Sequence, residues 1–434
     1  MSSKNAKKVE EEEDEGEVLA EFEGGMGEEH EEDEDGELAD EVFEEEDEDY
    51  DDGEGDDEDT EPSGPDTSSR RYERHGGAVY CGALSPDGAL FLSGSGDDTA
   101  HLWDARDAGA AARAAGAAPR ALKGPHAESV VCCAFSADGA WAATGALDGT
   151  LAVWDAKSGE LVHAPEGPAG EINFLAWHPR GSALLAGASD GSTWLWAVSR
   201  SELRFLQCFQ GESSATCGAF SASGNSVLTG HESGQVAGWN PVTGAQPCSF
   251  QGFGWLEGPC NALALQPGAG GGADGGAGGA SAGVFCAAGM DGTARVGSLA
   301  SGRVLASFEH DRAASDDESC ASVEAAAFSP AQPAWLATGA TDGTLKLWDL
   351  GAGGHARQAM RCHGGVIKVA WLPGSPHLVC ATTTRGVAQL FDARAGGDAQ
   401  RTFTGHTGMV LDVVPTRDEL YTCGNDGVVR VYAI

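Results

Sequence analysis

Short apolar runs and tight polar turns alternate along the chain from residue 75 to residue 434. The runs are rich in Val, Leu, Ala and Trp, and Asp-Gly or Ser-Gly pairs stand between them. Short runs that are separated by such turn residues indicate β-strands and not helices. The pattern therefore predicts an all-β fold for this part of the chain.

The alternation belongs to a unit that repeats along the chain. The second copy is the clearest, with an apolar run at Val130–Phe135, a strand and turn at Ala143–Thr150 and a strand end at Val153–Asp155. Eight copies are recognised by the turn residue that Asp148 represents in this copy: Asp97, Asp148, Asp190, Ser233, Asp291, Asp342, Arg385 and Asp426. The longest interval contains a Gly/Ala-rich stretch, residues 268–283, which we interpret as a flexible hairpin insertion. A four-stranded unit of about 42 residues cannot bury both faces alone and must stack on its neighbours.

The repeated unit resembles the WD40 family. Trp103-Asp104, Trp154-Asp155 and Trp348-Asp349 keep the family dipeptide, whereas the fifth unit has Gly297-Ser298 in its place. The resemblance implies that each unit is one blade of a β-propeller. We therefore predict an all-β, eight-bladed WD40 β-propeller for residues 70–434.

The same resemblance implies a hydrogen-bonded chain of polar side chains inside each blade. Such sets look like catalytic triads, but we interpret them as structural networks that rigidify a blade. Carried over by position, the networks are His126, Thr144, Asp148 and Trp154 in repeat two; His75, Ser93, Asp97 and Trp103 in repeat one; and His406, Thr422 and Asp426, with Tyr432 in place of Trp, in repeat eight. Repeats three, four and seven lack parts of the set, so we expect those blades to be less constrained.

The last unit ends with its third strand at Val428–Ile434. We therefore expect its fourth strand to come from the segment before the first unit, around Ser69–Glu73. This pairing would close the ring and remove the open edges that sheets otherwise expose.

Most of the negative charge lies before the propeller. Residues 1–69 contain 34 acidic residues against three lysines, which gives −31 of the net −42. Such a segment repels itself and buries little apolar surface, so we predict that it is a disordered acidic arm and linker. Its role stays open between a solubilising tail and a polyanion that attracts a basic partner.

Composition and motifs exclude several classes of function. The chain lacks the clustered Lys and Arg that nucleic acid or an anionic membrane requires, so we expect neither as a partner. It has no apolar run of 18 residues and no signal peptide, and its twelve cysteines form no Cys-x-x-Cys pair. We therefore expect reduced thiols, no metal and no cofactor. Phosphate-binding, zinc-protease and nucleophile-elbow motifs are absent from the sequence, which predicts a protein that is not an enzyme.

A propeller presents loops on two flat faces, which favour protein or peptide partners. The loops before each first strand and the Asp-Gly turns are expected on one face. Five glutamates fall in these loops and turns: Glu128, Glu171, Glu212, Glu232 and Glu257. Residues 311–318 add an acidic loop, and Phe253 and Trp255 are candidate aromatic anchors. We predict that this acidic face binds Arg and Lys side chains of a partner.

A closer resemblance is to the angio-associated migratory cell protein family. Ala176–Trp196 resembles the third repeat of that family, and so do Phe209–Gly211 and Ala215–Gly218. The order of parts is similar too: an acidic N-terminal tail, eight WD40 units and an acidic insertion in the sixth unit. The similarity spans about residues 75–434, and the Gly/Ala-rich insertion departs from it. The fungal branch of the family includes a dedicated chaperone for a large-subunit ribosomal protein, number sixteen in the universal scheme; the animal branch is associated with cell migration and signalling.

The residues and the resemblance together predict a non-catalytic chaperone in ribosome biogenesis. Its acidic face would hold the Arg/Lys-rich N-terminal segment of that ribosomal protein, or of another basic polypeptide. We expect a monomer in the cytoplasm and leave a nuclear stage open. Three alternatives remain: a signalling or cell-migration scaffold, a histone-type chaperone in which the acidic arm alone binds, and a substrate receptor of a ubiquitin ligase.

Overall fold

The computed structural model describes residues 64–106, 119–268, 283–310, 321–352 and 355–434. Within these ranges, 32 β-strands form eight four-stranded antiparallel sheets, and one short 3₁₀ helix spans Leu350–Ala352. The predicted acidic arm up to residue 63, most of the Gly/Ala-rich insertion and the acidic loop 311–318 lie outside the described residues.

Each sheet is one blade, and the strands are numbered along the chain. Blade 1 consists of β2 (Val79–Leu84), β3 (Leu90–Ser95), β4 (Ala100–Asp104) and β5 (Arg120–Leu122). Blade 2 consists of β6 (Val130–Phe135), β7 (Trp141–Ala146), β8 (Leu151–Asp155) and β9 (Leu161–His163). Blade 3 consists of β10 (Ile172–Trp177), β11 (Ala183–Ala188), β12 (Ser192–Val198) and β13 (Leu203–Gln210). Blade 4 consists of β14 (Ala215–Phe220), β15 (Val227–His231), β16 (Val236–Trp239) and β17 (Cys248–Phe250).

The second half of the chain continues the series. Blade 5 consists of β18 (Cys260–Leu265), β19 (Val284–Gly289), β20 (Thr293–Ser298) and β21 (Arg303–Glu309). Blade 6 consists of β22 (Val323–Phe328), β23 (Trp335–Ala340), β24 (Thr344–Asp349) and β25 (Ala356–Arg361). Blade 7 consists of β26 (Val366–Leu372), β27 (Ser375–Thr383), β28 (Ala388–Asp392) and β29 (Arg401–Phe403). Blade 8 consists of β30 (Val410–Pro415), β31 (Glu419–Gly424), β32 (Val428–Ala433) and β1 (Arg70–Glu73).

The first strands of neighbouring blades contact each other in a closed circle. The circle runs through β2, β6, β10, β14, β18, β22, β26 and β30, and β30 contacts β2 again. These eight strands therefore line the central channel, and the later strands of each blade lie progressively further out. The sheet order confirms the predicted eight-bladed propeller.

The ring closes through the two ends of the propeller. β1 pairs antiparallel with β32, with Arg70 opposite Val431 and Glu73 opposite Val428. The expected fourth strand of the last blade is therefore present at Arg70–Glu73. Residues 64–69, which the sequence analysis assigns to the linker, also contact this region: the Thr67 amide donates to the Thr404 carbonyl (3.0 Å), and the Ser69 amide donates to the Val431 carbonyl (2.8 Å).

The hydrophobic core lies between the blades. All six residues of β7 are buried, because neighbouring blades cover both faces of the sheet. One core cluster joins Leu92 and Leu102 of blade 1 to Val130 and Trp154 of blade 2. Small residues in the second strands permit this close stacking: a Cβ at Gly145 would lie only 2.6 Å from Ile172 Cγ2 of the next blade. The glycine of the Ala-Thr-Gly pattern is therefore a packing requirement.

Two negative findings apply to the described residues alone. No helix there is long and apolar enough to cross a membrane, and no group of three or more His, Cys, Asp or Glu is arranged to hold a metal ion. The described cysteines are free thiols, and burial raises the pKa of several of them, for example that of Cys380 to about 12.

Candidate functional site

The polar network predicted for blade 2 is present in the structure. His126 Nε2 lies 2.7 Å from Thr144 Oγ1, and Trp154 Nε1 donates to the same oxygen at 2.9 Å. Asp148 joins the chain through Thr150, whose hydroxyl contacts His126 Nδ1 (2.6 Å) and donates to Asp148 Oδ1 (2.5 Å). Burial lowers the pKa of His126, and the nearby Asp148 carboxylate partly offsets this effect. The neutral imidazole is thus one link of a structural chain.

In blade 1 the histidine contacts the turn aspartate directly. His75 Nε2 lies 2.8 Å from Ser93 Oγ, Trp103 Nε1 donates to that oxygen (2.8 Å), and His75 Nδ1 lies 3.3 Å from Asp97. Burial would raise the pKa of Asp97, but hydrogen bonds from Thr99 and from the Gly76 amide lower it to about 2. The turn carboxylate is therefore ionised at neutral pH.

Blade 8 has the same set with one difference. His406 Nε2 lies 2.7 Å from Thr422 Oγ1 and His406 Nδ1 lies 2.9 Å from Asp426 Oδ1. Tyr432, which stands in place of the tryptophan, donates its hydroxyl to the Thr404 carbonyl at 3.3 Å. Arg430 adds an ion pair to Asp426 at 2.7 Å.

Two further blades contain the network without having been predicted. In blade 4, His231 Nε2 lies 2.9 Å from Thr229 Oγ1, to which Trp239 Nε1 donates at 2.9 Å. His231 ends the second strand and does not come from the loop before the first, and Ser233 stands where other blades have the turn aspartate, so repeat four has a partial network. In blade 6, His310 Nε2 lies 2.8 Å from Thr338 Oγ1, and Trp348 Nε1 donates to the same oxygen at 2.8 Å.

The turn aspartates also hold the loops that carry the predicted binding residues. The Ala127 amide donates to Asp148 Oδ2 at 2.6 Å, next to Glu128. The Glu257 amide donates to Asp291 Oδ2 at 2.9 Å. Each loop is therefore tied to the turn between the second and third strands of its own blade, and both lie on one side of the ring, which we call the upper face. The turns between first and second strands and between third and fourth strands lie on the opposite, lower face.

All five predicted glutamates are exposed and lie on the upper face. Four of them precede the first strands of blades 2 to 5, and the remaining one, Glu232, lies in the turn between β15 and β16 of blade 4. Backbone hydrogen bonds fix several of their positions, such as the Glu232 amide to the Ser214 carbonyl at 2.9 Å. Within the described ranges, none of the five side chains forms an ion pair: Glu128, Glu171, Glu212, Glu232 and Glu257.

The five glutamates are not evenly distributed around the ring. The five glutamates occupy four consecutive blades, 2 to 5, which we call the acidic arc. Blade 7 has Arg385, an exposed cation, at the turn position that aspartate fills in most other blades. An elongated cationic segment would therefore be attracted to one half of the face.

Charged residues of the channel were missed by the sequence analysis. Glu324 on β22 accepts a hydrogen bond from Asn261 Nδ2 at 3.3 Å, and Lys368 on β26 is exposed. Asp412 on β30 accepts from the Gly82 amide at 2.9 Å, and burial raises its pKa. The bulge near the start of each first strand, such as between Val410 and Asp412, turns polar residues towards the channel or the next blade. Nothing in the repeat motif marks these positions.

One of the two predicted aromatic anchors is wrong. Trp255 is only 2% exposed and its Nε1 donates to the Gly234 carbonyl at 3.0 Å, so it is part of the core between blades 4 and 5. Phe253, two residues earlier, is fully exposed. The tryptophan faces inward because Phe250 and Phe285 form an aromatic cluster with it.

Comparisons with known proteins now identify the relatives of this chain. The WD domain, G-beta repeat family (WD40) matches residues 66–104, 119–155, 159–197, 314–349 and 397–433. The human angio-associated migratory cell protein is 30% identical over 318 residues, which cover 71% of this chain and 66% of the relative. The chain has WD40 repeats and is homologous to angio-associated migratory cell protein. It spans slightly less than two thirds of the length of that relative.

Ribosome assembly proteins are also among the relatives. The ribosome assembly protein SQT1 of Saccharomyces cerevisiae is 24% identical over 216 residues, which cover 45% of this chain and 47% of SQT1. The crystal structure of Saccharomyces cerevisiae Sqt1 has a TM-score of 0.74 at 22% identity, covering 85% of this chain and 99% of that one. Chaetomium thermophilum Sqt1, solved bound to the N-terminus of the ribosomal protein L10, has a TM-score of 0.71 at 22% identity, covering 85% of this chain and 100% of that one. At this identity the two structures establish the shared fold.

Proposed function

We propose that this protein is a non-catalytic chaperone for a basic large-subunit ribosomal protein, the one numbered sixteen in the universal scheme. It would hold the Arg/Lys-rich N-terminal segment of that client on the acidic arc until assembly. The observation that carries this proposal is the set of five exposed glutamates on one face of four consecutive blades, none of which forms an ion pair with another described residue. We propose further that it acts as a monomer in the cytoplasm, without nucleic acid or membrane as a partner.

The geometry of the upper face suits such a client. Arg and Lys side chains of an extended segment would meet exposed carboxylates on an anchored backbone, since the Glu171 amide donates to Ser189 Oγ and the Glu257 amide donates to Asp291 Oδ2. Arginine is favoured because its guanidinium can bind a carboxylate through two parallel hydrogen bonds. Neutralising the dense positive charge of a free ribosomal protein would also keep it soluble.

The relatives support the same kind of function. Sqt1 of Chaetomium thermophilum was solved with the N-terminus of a ribosomal protein, and Saccharomyces cerevisiae SQT1 is a ribosome assembly protein. The homology to angio-associated migratory cell protein supports the second candidate, a signalling or cell-migration scaffold. A scaffold that uses mixed surfaces would not depend on the acidic arc, and this difference makes the two candidates separable.

The test is charge reversal on the upper face. The triple variant Glu128→Lys, Glu171→Lys, Glu232→Lys is compared with Glu160→Lys, Glu202→Lys, Asp398→Lys, whose residues are exposed and lie on the lower face. Both variants change the net charge equally. Binding of a synthetic Arg/Lys-rich peptide should weaken at least about tenfold in the first variant and little in the second.

Two measurements complete the test. Affinity of the unaltered chain should fall steeply between about 50 mM and about 500 mM salt, because exposed charges are screened. Deletion of residues 1–63, which keeps the contacts of Thr67 and Ser69 with blade 8, should slow association yet keep the complex. A histone-type chaperone that binds through its arm would lose the complex. Equal binding by both charge-reversal variants would contradict the proposal, and recovery of a kinase or receptor instead of a ribosomal protein from RNase-treated lysate would favour the scaffold.

A further inference from the structure

The loop that connects β17 of blade 4 to β18 of blade 5 projects an aromatic side chain from the upper face. Phe253 is at its tip and is fully exposed, with a relative accessibility of 107%. Gly252 and Gly254 flank it with φ values of 79° and 81°, a backbone region that glycine adopts without strain. A Cβ at either glycine would meet nothing within 4 Å, so the tip stands free of the rest of the molecule.

The base of this loop is fixed. Trp255 is buried and its Nε1 donates a hydrogen bond to the Gly234 carbonyl. Leu256 is 5% exposed, and the Glu257 amide donates to the Asp291 carboxylate. The Trp255 amide donates to the Gly252 carbonyl at 3.0 Å, which forms a tight turn around Phe253. Phe253 is therefore presented from an ordered base. Leaving a phenylalanine in water forgoes the hydrophobic stabilisation that its burial would give.

A second large apolar side chain is exposed on the same blade. Met290 lies in the turn between β19 and β20 and is 58% exposed. Its amide donates to the Pro259 carbonyl at 3.0 Å, and a Cβ at Gly258 would lie 3.8 Å from Met290 Cβ. Met290 thus adjoins the end of the loop that carries Phe253 and Glu257. We call Phe253 and Met290 the apolar corner; it lies at the blade 5 end of the acidic arc.

We propose that the apolar corner binds a large apolar side chain of the client, an aromatic or long aliphatic residue that is flanked by Arg or Lys. The inference rests on the proposed function and specifies the client sequence further. The occupant is a basic segment and not a neutral one, because Glu257 and the rest of the acidic arc adjoin the corner. Methionine adapts its shape to different partners and contacts aromatic rings favourably.

The two parts of the face would have different roles. Exposed carboxylates attract any cationic segment and are weakened by salt, so they set the rate of association but not the register of the peptide. An apolar contact acts only at short range and is insensitive to salt. The apolar corner would therefore determine which residue of the client is placed at blade 5.

The experiment uses two synthetic probes, an Arg/Lys-rich peptide with one central Phe and the same peptide with Ala at that position. The double variant Phe253→Ala, Met290→Ala is compared with Val242→Ala, an 88% exposed apolar residue in the lower-face turn after β16. The Phe peptide should bind the unaltered chain about tenfold more tightly than the Ala peptide. The double variant should remove this difference and leave the affinity of the Ala peptide unchanged, and Val242→Ala should change neither.

Salt separates this inference from the proposed function. The ratio between the two peptides should persist at high salt while both affinities fall. Two results would overturn the proposed role of the apolar corner without contradicting that of the acidic arc. One is equal affinity of the two peptides for the unaltered chain, and the other is an equal loss of affinity for both peptides in the double variant. Failure of both peptides to bind would overturn the proposed function as well.

Discussion

Replacing Thr144 by valine should strongly destabilise the propeller. Thr144 is fully buried, and its hydroxyl oxygen accepts the indole N–H of Trp154 and pairs with His126 Nε2. Valine keeps the shape but removes the oxygen, which leaves two polar groups without this partner. A buried polar group without a hydrogen bond costs about 1–3 kcal/mol. Because Trp154 Nε1 and His126 Nε2 both lose this partner, we expect a loss of about 2–6 kcal/mol in the free energy of unfolding.

Thr193 in β12 provides a matched control. It is 1% exposed, and within the described part of the chain its hydroxyl has no hydrogen-bond partner. Thr193→Val removes an unsatisfied group, so stability should be unchanged or should increase by up to about 1 kcal/mol. The assay is urea unfolding of both variants, followed by tryptophan fluorescence and by circular dichroism. If both variants shift the transition by the same amount in the same direction, the reasoning from hydrogen-bond satisfaction is refuted.

Two further predictions concern pH and packing. Burial lowers the pKa of His101 to about 4 and also lowers the pKa of four other histidines: His75, His126, His231 and His406. In the unfolded chain these histidines bind protons near pH 6.5, whereas in the folded chain they do so only at lower pH, so the free energy of unfolding should fall as the pH drops from about 6.5 towards 4. A urea midpoint that does not change with pH in this range would contradict this prediction. So would a His101→Gln variant whose midpoint depends on pH as steeply as that of the unaltered chain. Gly211→Ala should destabilise blade 4, because the new Cβ would lie 2.0 Å from His231 Cε1. Gly268→Ala is the control and should not destabilise the protein, because a Cβ there would have no atom within 4 Å. Equal melting temperatures of the two variants would contradict this prediction.

The architecture could be predicted because each repeat unit contains local turn and strand residues that mark one blade. Asp148 and Gly149 specify the turn, with Gly149 at a φ of 78°, and Trp154 specifies the third strand. The turn position recurs eight times along the chain, so the number of blades follows from counting it. The closing strand Arg70–Glu73 followed from the same count, since the last unit lacks one strand.

The details of the site depended on contacts that a repeat pattern does not contain. In blade 4, His231 takes the place of the loop histidine from the end of the second strand, two residues after Thr229, with its Nε2 at 2.9 Å from Thr229 Oγ1. Trp255 resembled a surface aromatic by its place in a loop, but the apolar surface between blades 4 and 5 was available to bury it. Glu324 and Lys368 lie on the channel strands, where side-chain direction depends on a local bulge. The order of residues along the chain does not determine such choices.

The pairing of β1 with β32 has a consequence for synthesis. Arg70 leaves the translating ribosome long before Val431, yet each residue needs the other to complete the eighth blade. Until the last strand emerges, the first seven sheets would form an arc with two unprotected ends, and the entropic cost of joining such distant segments would slow the final step. A nascent chain of this protein would itself need protection from aggregation during that interval.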